Sequence, residues 1–318
     1  GGKRLERRGV LHAGVVAQQV DGAELHFLTK SSFRSILEHN PYIDKLHLYS
    51  GNLNETIAGL KAEKFDYIID LHNNFRSFVI RKRLGVLSFT FDKINFRKFL
   101  ITQFKINRLP DEHIVDRYLA TTRLFDVEND HKGLDYFIPD YDKIFIEKVL
   151  PESYHSGYVG FVIGAKHETK KLFPEKIVEV VSGINRPVVL LGGKEDRETG
   201  EFISKTAKGI VYNACGLYNL NQSASLVEQA KVIVTHDTGL MHIAAAFKKK
   251  MVSVWGNTIP EFGMGPYETD PGSVVAEVKG LPCRPCSKLG YRKCPKGHFR
   301  CMKDIEKNVI IDFVEKNF

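Results

Sequence analysis

Short apolar runs alternate with segments of helical period almost from one end of the chain to the other. The pattern predicts strands over 23–30, 45–49, 67–71 and 86–91, with helices over 31–39, 53–64 and 75–84 between them. Two more helices are expected near 95–105 and 113–125. Around 136–158 the rhythm breaks, with Pro139, Pro151 and mixed charge, and a hinge is expected there. A second series follows. Strands are expected over 158–164, 187–192, 210–213, 231–235 and 251–255, and helices over 174–184, 199–207, 222–229 and 240–247. Pro174 falls in a first helical turn, where its missing N–H costs nothing. Strands and helices in strict alternation imply parallel sheets covered by helices. The expected fold class is α/β, with two doubly wound Rossmann-like domains facing a cleft, residues 1–150 and 151–318, the second ending in a helix.

Composition narrows the partners. The 318 residues carry a formal charge of +8, which favours anionic ligands: nucleotides, nucleic acid, phosphorylated lipids or a membrane surface. No apolar run reaches the ~18 residues of a membrane-spanning helix. The basic start, GGKRLERRGVLHAGVVAQQ, has no apolar core or cleavage site of a secretory signal. Five cysteines, an odd number, fit a reducing cytoplasm better than a disulfide framework.

The chemistry concentrates after the strand over 231–235, in His236, Asp237, Thr238, Gly239 and, one helical turn on, His242. A strand feeding a helix through Thr-Gly aims free N–H groups and the positive helix end at one point, a ready anion site. Gly239 would let a phosphate approach the backbone, and Thr238 could cap the helix and donate its hydroxyl. An ordinary capped strand–helix turn with a satisfied histidine explains the same residues.

The wider pattern is THDTGLMHIAAA, then Val254-Trp255-Gly256-Asn257-Thr258-Ile259-Pro260, then Gly265-Pro266-Tyr267. Upstream stand Ile163-Gly164-Ala165, Lys171-Leu172-Phe173-Pro174-Glu175 and Leu191-Gly192-Gly193-Lys194-Glu195-Asp196. Together they resemble glycosyltransferase family 9, the ADP-heptose:lipopolysaccharide heptosyltransferases, over nearly all of residues 20–318. The resemblance implies the bilobal GT-B fold and transfer of a heptose from ADP-heptose to the lipopolysaccharide core, with inversion. It makes Lys171, with Lys170 beside it, the stabiliser of the departing diphosphate. Asp196 would reach the nucleoside, and Asp237, Thr238, Gly239 and His242 would grip the donor. Neither a cofactor nor a metal is implied, and no nucleic acid beyond the nucleotide of the donor.

In the first half, Asp70-Leu71-His72-Asn73-Asn74-Phe75-Arg76-Ser77 resembles the family's acceptor-side turn. Asn74 and Arg76 are the acceptor-binding candidates, Arg76 suiting an acidic sugar or phosphate. His113 and Arg117 form a second candidate pair. For each, helix capping or a surface ion pair is the plain alternative. Segment 92–108, DKINFRKFLITQFKINR, interleaves Phe96, Phe99, Leu100 and Phe104 with five basic residues. It reads either as a helix lying on an anionic membrane surface, peripheral to the inner membrane, or as a core-facing stripe with a solvated face. Cys283, Cys286, Cys294 and Cys301 crowd a basic loop over 283–301. They suit either a structural zinc ion or reduced thiols, and the zinc option admits a nucleic-acid binder as a remote rival.

One departure stands out. The family opens with a strand and a Ser-x-Gly-Asp turn whose aspartate serves as catalytic base, and the corresponding stretch here reads Arg4-Leu5-Glu6-Arg7-Arg8. Glu6 is not assigned the role. The N-terminal sheet is therefore expected to lack its first strand, residues 1–20 to be atypical through a truncated or frame-shifted start, and the base to be absent. That leaves a non-catalytic sugar-nucleotide or glycan-binding relative as the alternative function.

Overall fold

A computed structural model describes residues 4–7 and 13–318, with side chains from Gly14 onward. The chain divides into two compact units, Gly1–Ile94 with Glu112–Phe137, and Asn95–Asp111 with Ile138–Phe318. The main crossing thus lies at the start of the stretch where the sequence rhythm breaks.

In the first unit, β1 (Arg4–Arg7), β2 (Glu24–Lys30) and β3 (Lys45–Tyr49) pair in parallel. Strands β4 (Tyr67–Asp70) and β5 (Leu87–Thr90) form a second parallel pair, and β1 runs alongside β4. The expectation of a missing first strand is corrected here. Arg4–Arg7 occupies that central position, pairing residue for residue with Glu24–Phe27. Strand pairing is made by backbone groups, so a charged tetrapeptide with no apolar pattern can complete the ladder. The segment over 8–12, where the family's base-bearing turn would lie, is outside the described residues.

The second unit is built on six parallel strands in the order β11-β10-β9-β6-β7-β8. These are β6 (Val159–Val162), β7 (Val188–Leu191), β8 (Val211–Asn213), β9 (Val232–His236), β10 (Met251–Trp255) and β11 (Val274–Glu277). Every residue of β6, β7, β9 and β10 is buried, as strands covered on both faces must be. Edge strands β8 and β11 are only partly buried, and the weak apolar run of β11 gave no strand signal.

The helices follow from their apolar stripes. Pro174–Gly183 starts on its proline and buries Ile177, Val180 and Val181. The terminal helix Lys307–Asn317 packs on it through Ile310, Phe313 and Val314. Segment Asn95–Asp111 belongs to this unit. The continuous helix expected over 95–105 is shorter, Asn95–Phe99, and runs into a π-type turn over Leu100–Phe104 that closes with Lys105 at φ 60°.

Candidate functional site

The parallel sheet of the second unit sends its strand ends to one edge, and the chemistry-bearing residues gather there. After β6, the chain passes Gly164 and turns through Glu168–Lys170. Lys170 Nζ lies 2.5 Å from Asp237 Oδ2 at the end of β9. Lys171 Nζ lies 3.0 Å from Asp196 Oδ1 and 3.2 Å from Glu168 Oε1. Burial lowers the Lys171 pKa, but its two carboxylates outweigh that and leave it raised, so the ammonium is held charged. Asp196 is 4% exposed, and its other oxygen accepts from Gly193 N at 3.0 Å. Its carboxylate is thus engaged on both oxygens within the chain.

His236 ends β9 wholly buried, and its Nε2 accepts from Leu172 N at 3.0 Å, fastening the lysine turn to the sheet. Burial drives its pKa down to about 4, so the ring is neutral at physiological pH. His242 is partly buried in the helix Gly239–Ala246. Burial lowers its pKa too, with Asp237 opposing and Lys170 adding to the fall, which places it in the field of that ion pair.

Thr238 precedes the helix in extended conformation, φ −142°, but its side chain makes no cap bond. Its Oγ1 is buried without a hydrogen-bond partner among the described residues. The expected capping hydroxyl is therefore an unsatisfied buried group although the backbone has the extended conformation usual for a cap. Gly239 has open space where a Cβ would stand.

Two residues beyond the sequence reading complete the edge. Thr258 Oγ1 donates to Asp237 Oδ2 at 2.9 Å, and Asn257, 1% exposed, has a side chain with neither atom partnered among the described residues. Both follow β10, in the Trp-Gly-Asn-Thr stretch that carried the resemblance, but no charge marked them as polar groups aimed at a ligand. Arg284 steadies this loop through Gly256 O at 2.6 Å, Thr258 O at 2.9 Å and Glu277 Oε2 at 2.6 Å.

The cysteine loop supports the lysine turn from behind. Thr169 Oγ1 accepts from Tyr291 N at 2.8 Å, and Thr169 N donates to Tyr291 O at 3.2 Å. All five cysteines are free thiols. Cys283 Sγ lies 3.7 Å from His298 Nε2, and the Cys286 thiol donates to Cys283 O. Burial raises the Cys286 thiol to about 12 and Cys301 to about 11, keeping both protonated.

In the first unit a pocket lies at the ends of β2, β3 and β4, lined in part by Lys30, Tyr49, Asp70, Asn74, Arg76 and Arg81. Asp70 Oδ1 accepts from His72 N and Asn73 N at 2.9 and 2.7 Å, and Arg81 Nε pairs with its other oxygen at 3.0 Å. Asn74 caps the helix Phe75–Leu84 in a reciprocal box with Ser77. The Arg76 guanidinium stacks 4.6 Å above the Tyr49 ring. Arg117 is elsewhere: it is 5% exposed, with a terminal nitrogen donating to Asp92 O at 3.3 Å. His113 caps the helix Ile114–Leu119 by accepting from Val115 N. Both residues of the second candidate pair therefore hold the first unit's own structure.

Doubly wound parallel sheets with cationic groups and a helix start at their strand ends define the nucleotide-binding α/β class. Residues 55–291 match glycosyltransferase family 9 (heptosyltransferase), and the chain belongs to that family. It is a glycosyltransferase by that membership. It is 26% identical over 235 residues to lipooligosaccharide heptosyltransferase 2 of Haemophilus influenzae, covering 69% of this chain and 67% of that one. Over 147 residues it is 31% identical to lipopolysaccharide heptosyltransferase 2 of Escherichia coli, covering 44% and 39%. Its fold is similar to a family 9 glycosyltransferase from Veillonella parvula, with TM-score 0.74, 20% identity and coverage of 99% and 96%. It is equally similar to E. coli ADP-heptose heptosyltransferase II, with TM-score 0.73, 19% identity and coverage of 99% and 98%.

Proposed function

We propose that this chain transfers heptose from ADP-heptose to a sugar hydroxyl of the lipopolysaccharide inner core. One observation carries the reading: Lys170, Lys171, the unpartnered Thr238 hydroxyl and the start of the helix Gly239–Ala246 meet at one sheet edge. In the reaction the acceptor oxygen bonds to the anomeric carbon, the bond from that carbon to the diphosphate breaks, and ADP departs. The acceptor proton passes to a base. Negative charge grows on the diphosphate, and preorganised cations and N–H groups stabilise it most where water is excluded. Lys171 and the Thr238–Gly239 helix start fill that role. Asp237 holds Lys170 and Thr258 beside it, and His242 lies within reach of the same ion pair. Asp196 acts as a positioning residue for Lys171 rather than as a direct contact to the nucleoside.

On the acceptor side, Arg76 and Asn74 line the cationic pocket of the first unit, and that chemistry suits an acidic core sugar or its phosphate. The named relatives act on lipopolysaccharide or lipooligosaccharide. Among the described residues no helix is long and apolar enough to cross a membrane. Contact with the bilayer is instead assigned to Asn95–Asp111, whose Phe96, Phe99, Phe104 and Ile106 are exposed while Ile101 is buried against Ile259 and Phe262. The apolar stripe thus splits, one part serving the core and the phenylalanines facing solvent. With it we place the protein at the cytoplasmic face of the inner membrane.

One observation favours a non-catalytic sugar-nucleotide binder instead: the stretch after β1, Arg8 to His12, contains no carboxylate to serve as base. Calorimetry with ADP and turnover with ADP-heptose on a heptose-free core acceptor separate the readings. Binding with turnover supports the transferase, binding without turnover supports the relative, and absence of ADP binding overturns both.

A further inference from the structure

The first unit holds a second cluster of chemistry-bearing side chains. His26 on β2 is 1% exposed, His47 lies on the neighbouring β3, and Glu63 follows the helix Leu53–Ala62. The ring nitrogens His26 Nδ1 and His47 Nε2 face each other at 3.0 Å. Glu63 Oε2 stands 3.9 Å from His26 Nδ1. One ligand-type atom from each of the three lies within 4.8 Å of the others.

We propose that His26 Nδ1, His47 Nε2 and Glu63 Oε2 form a binding site for a borderline divalent transition-metal ion, Zn²⁺ foremost. Two imidazoles and a carboxylate are a donor set that suits zinc, and they leave a further coordination position open. Ligand nitrogens at about 2.0–2.1 Å from a tetrahedral ion sit roughly 3.3 Å apart. The observed 3.0 Å is close to that, and Glu63 Oε2, at 3.9 Å from His26 Nδ1, needs to close by about half an ångström toward that nitrogen.

The surroundings fix the donor atoms. Glu24 Oε1 lies 2.8 Å from His26 Nε2, and a carboxylate can only accept, so that nitrogen carries the proton. The Nδ1 lone pair is thereby directed at the cluster, the carboxylate–histidine–metal relay that orients ligating imidazoles. His47 Nε2 then donates to Nδ1 when no ion is bound. On metal binding its proton moves to its own Nδ1, so the exchange needs no net proton release. Lys45 Nζ bonds Glu63 Oε1 at 2.5 Å, which steadies the carboxylate and leaves Oε2 on the side of the histidines. Phe65, buried edge-on against His26 at 5.2 Å, supplies an apolar wall. The ion would staple β2, β3 and the end of the helix Leu53–Ala62. The site is separate from the donor edge, and it stands whether or not transfer is catalysed.

The test is titration of metal-stripped protein with ZnCl₂ by calorimetry, and with Co²⁺ by visible absorption, on the wild type, His47→Gln, Glu63→Gln and Glu24→Gln. The cysteine loop is told apart because thiolate ligation of Co²⁺ adds a charge-transfer band that imidazole and carboxylate do not. The site requires His47→Gln to lose one equivalent of metal. Glu63→Gln and Glu24→Gln should bind it about ten-fold more weakly or worse. Zn²⁺ should also raise the melting temperature of the wild type but not of His47→Gln. Glu63 lies at the surface end of a helix, so Glu63→Gln provides the reading if His47→Gln folds poorly. Equal stoichiometry and affinity in wild type, His47→Gln and Glu63→Gln overturn the proposal, as does a signal made only of thiolate charge transfer.

Discussion

The hydroxyl of Thr238 is buried at a helix start with no partner among the described residues, so its removal separates ligand binding from folding. Thr238→Val keeps the β-branched shape and the extended backbone. The protein should melt at the wild-type temperature or slightly above, because an unsatisfied buried donor is costly. Affinity for ADP should fall by about 10–100-fold, the value of one hydrogen bond to a charged group. Calorimetry and a melting curve on the same sample check both halves. His236 gives the opposite kind of test. Its pKa is about 4 in the folded chain against 6.5 for a free imidazole. As pH falls the unfolded chain takes up this proton first, so the associated stability is complete above about pH 6.5 and drains away toward pH 4. His236→Gln retains an acceptor for Leu172 N, and its melting temperature should fall less steeply over that range than the wild type's. At this scale the structure brings together the residues the sequence singled out around the end of β9, though not with every expected contact. Lys171, Asp237, Thr238 and His242 could be placed by their motif. The burial of Asp196 and Arg117, and the unpartnered amide of Asn257, depend on contacts between segments far apart in the chain.

Among the elements, the lysine turn depends on its neighbours more than on its own sequence. A Cβ on Gly256 would collide with the Thr169 backbone carbonyl and, at 2.6 Å, with Met302 Cε. The carbonyl belongs to the turn that carries Lys170 and Lys171, and Met302 is wholly buried. Gly256→Ala should therefore cost about 1–3 kcal/mol of stability, the range for overpacking a filled core. It should also weaken ADP binding, because both ammonium groups move with the turn. Denaturant unfolding and ADP titration would check this, and a stable variant with full affinity would contradict the packing argument. Buried strands of the second unit were legible because continuous Val, Ile and Leu runs admit few other structures. Their predicted limits differ from the observed ones by only a residue or two. β11 was missed because an edge strand needs only one neighbour and carries a mixed pattern. The helix expected over 95–105 was misjudged because its apolar residues do not share one destination: Ile101 turns to the core, and the phenylalanines around it turn outward.

For the whole molecule, the two-fold series of strands and helices was visible because it repeats, whereas β1 was not. A central strand made of Arg-Leu-Glu-Arg has backbone pairing but no pattern to announce it. The overall charge of +8 belongs to this scale too: under the proposed bilayer contact it would favour anionic surfaces, and the exposed aromatic residues of Asn95–Asp111 would then supply an apolar contribution. Phe96 is 70%, Phe99 51% and Phe104 61% exposed, while Lys105 is held by the carbonyls of Cys283 and Pro285 at 3.1 and 2.8 Å. That anchoring ties the segment to the cysteine loop of its own unit. Electrostatic attraction alone would bring the protein to anionic vesicles and be screened by salt over a Debye length of about 8–10 Å. Insertion of the rings would add an apolar contribution that salt does not remove. Co-sedimentation with vesicles containing anionic lipid should thus be strong at low salt and only partly lost at high salt. Replacing Phe96, Phe99 and Phe104 by Ser should abolish the salt-resistant part and leave ADP affinity unchanged, since none of the three lies at the donor edge. Vesicle binding that vanishes completely with salt in the wild type would assign the contact to charge alone and remove the segment's proposed role in the bilayer.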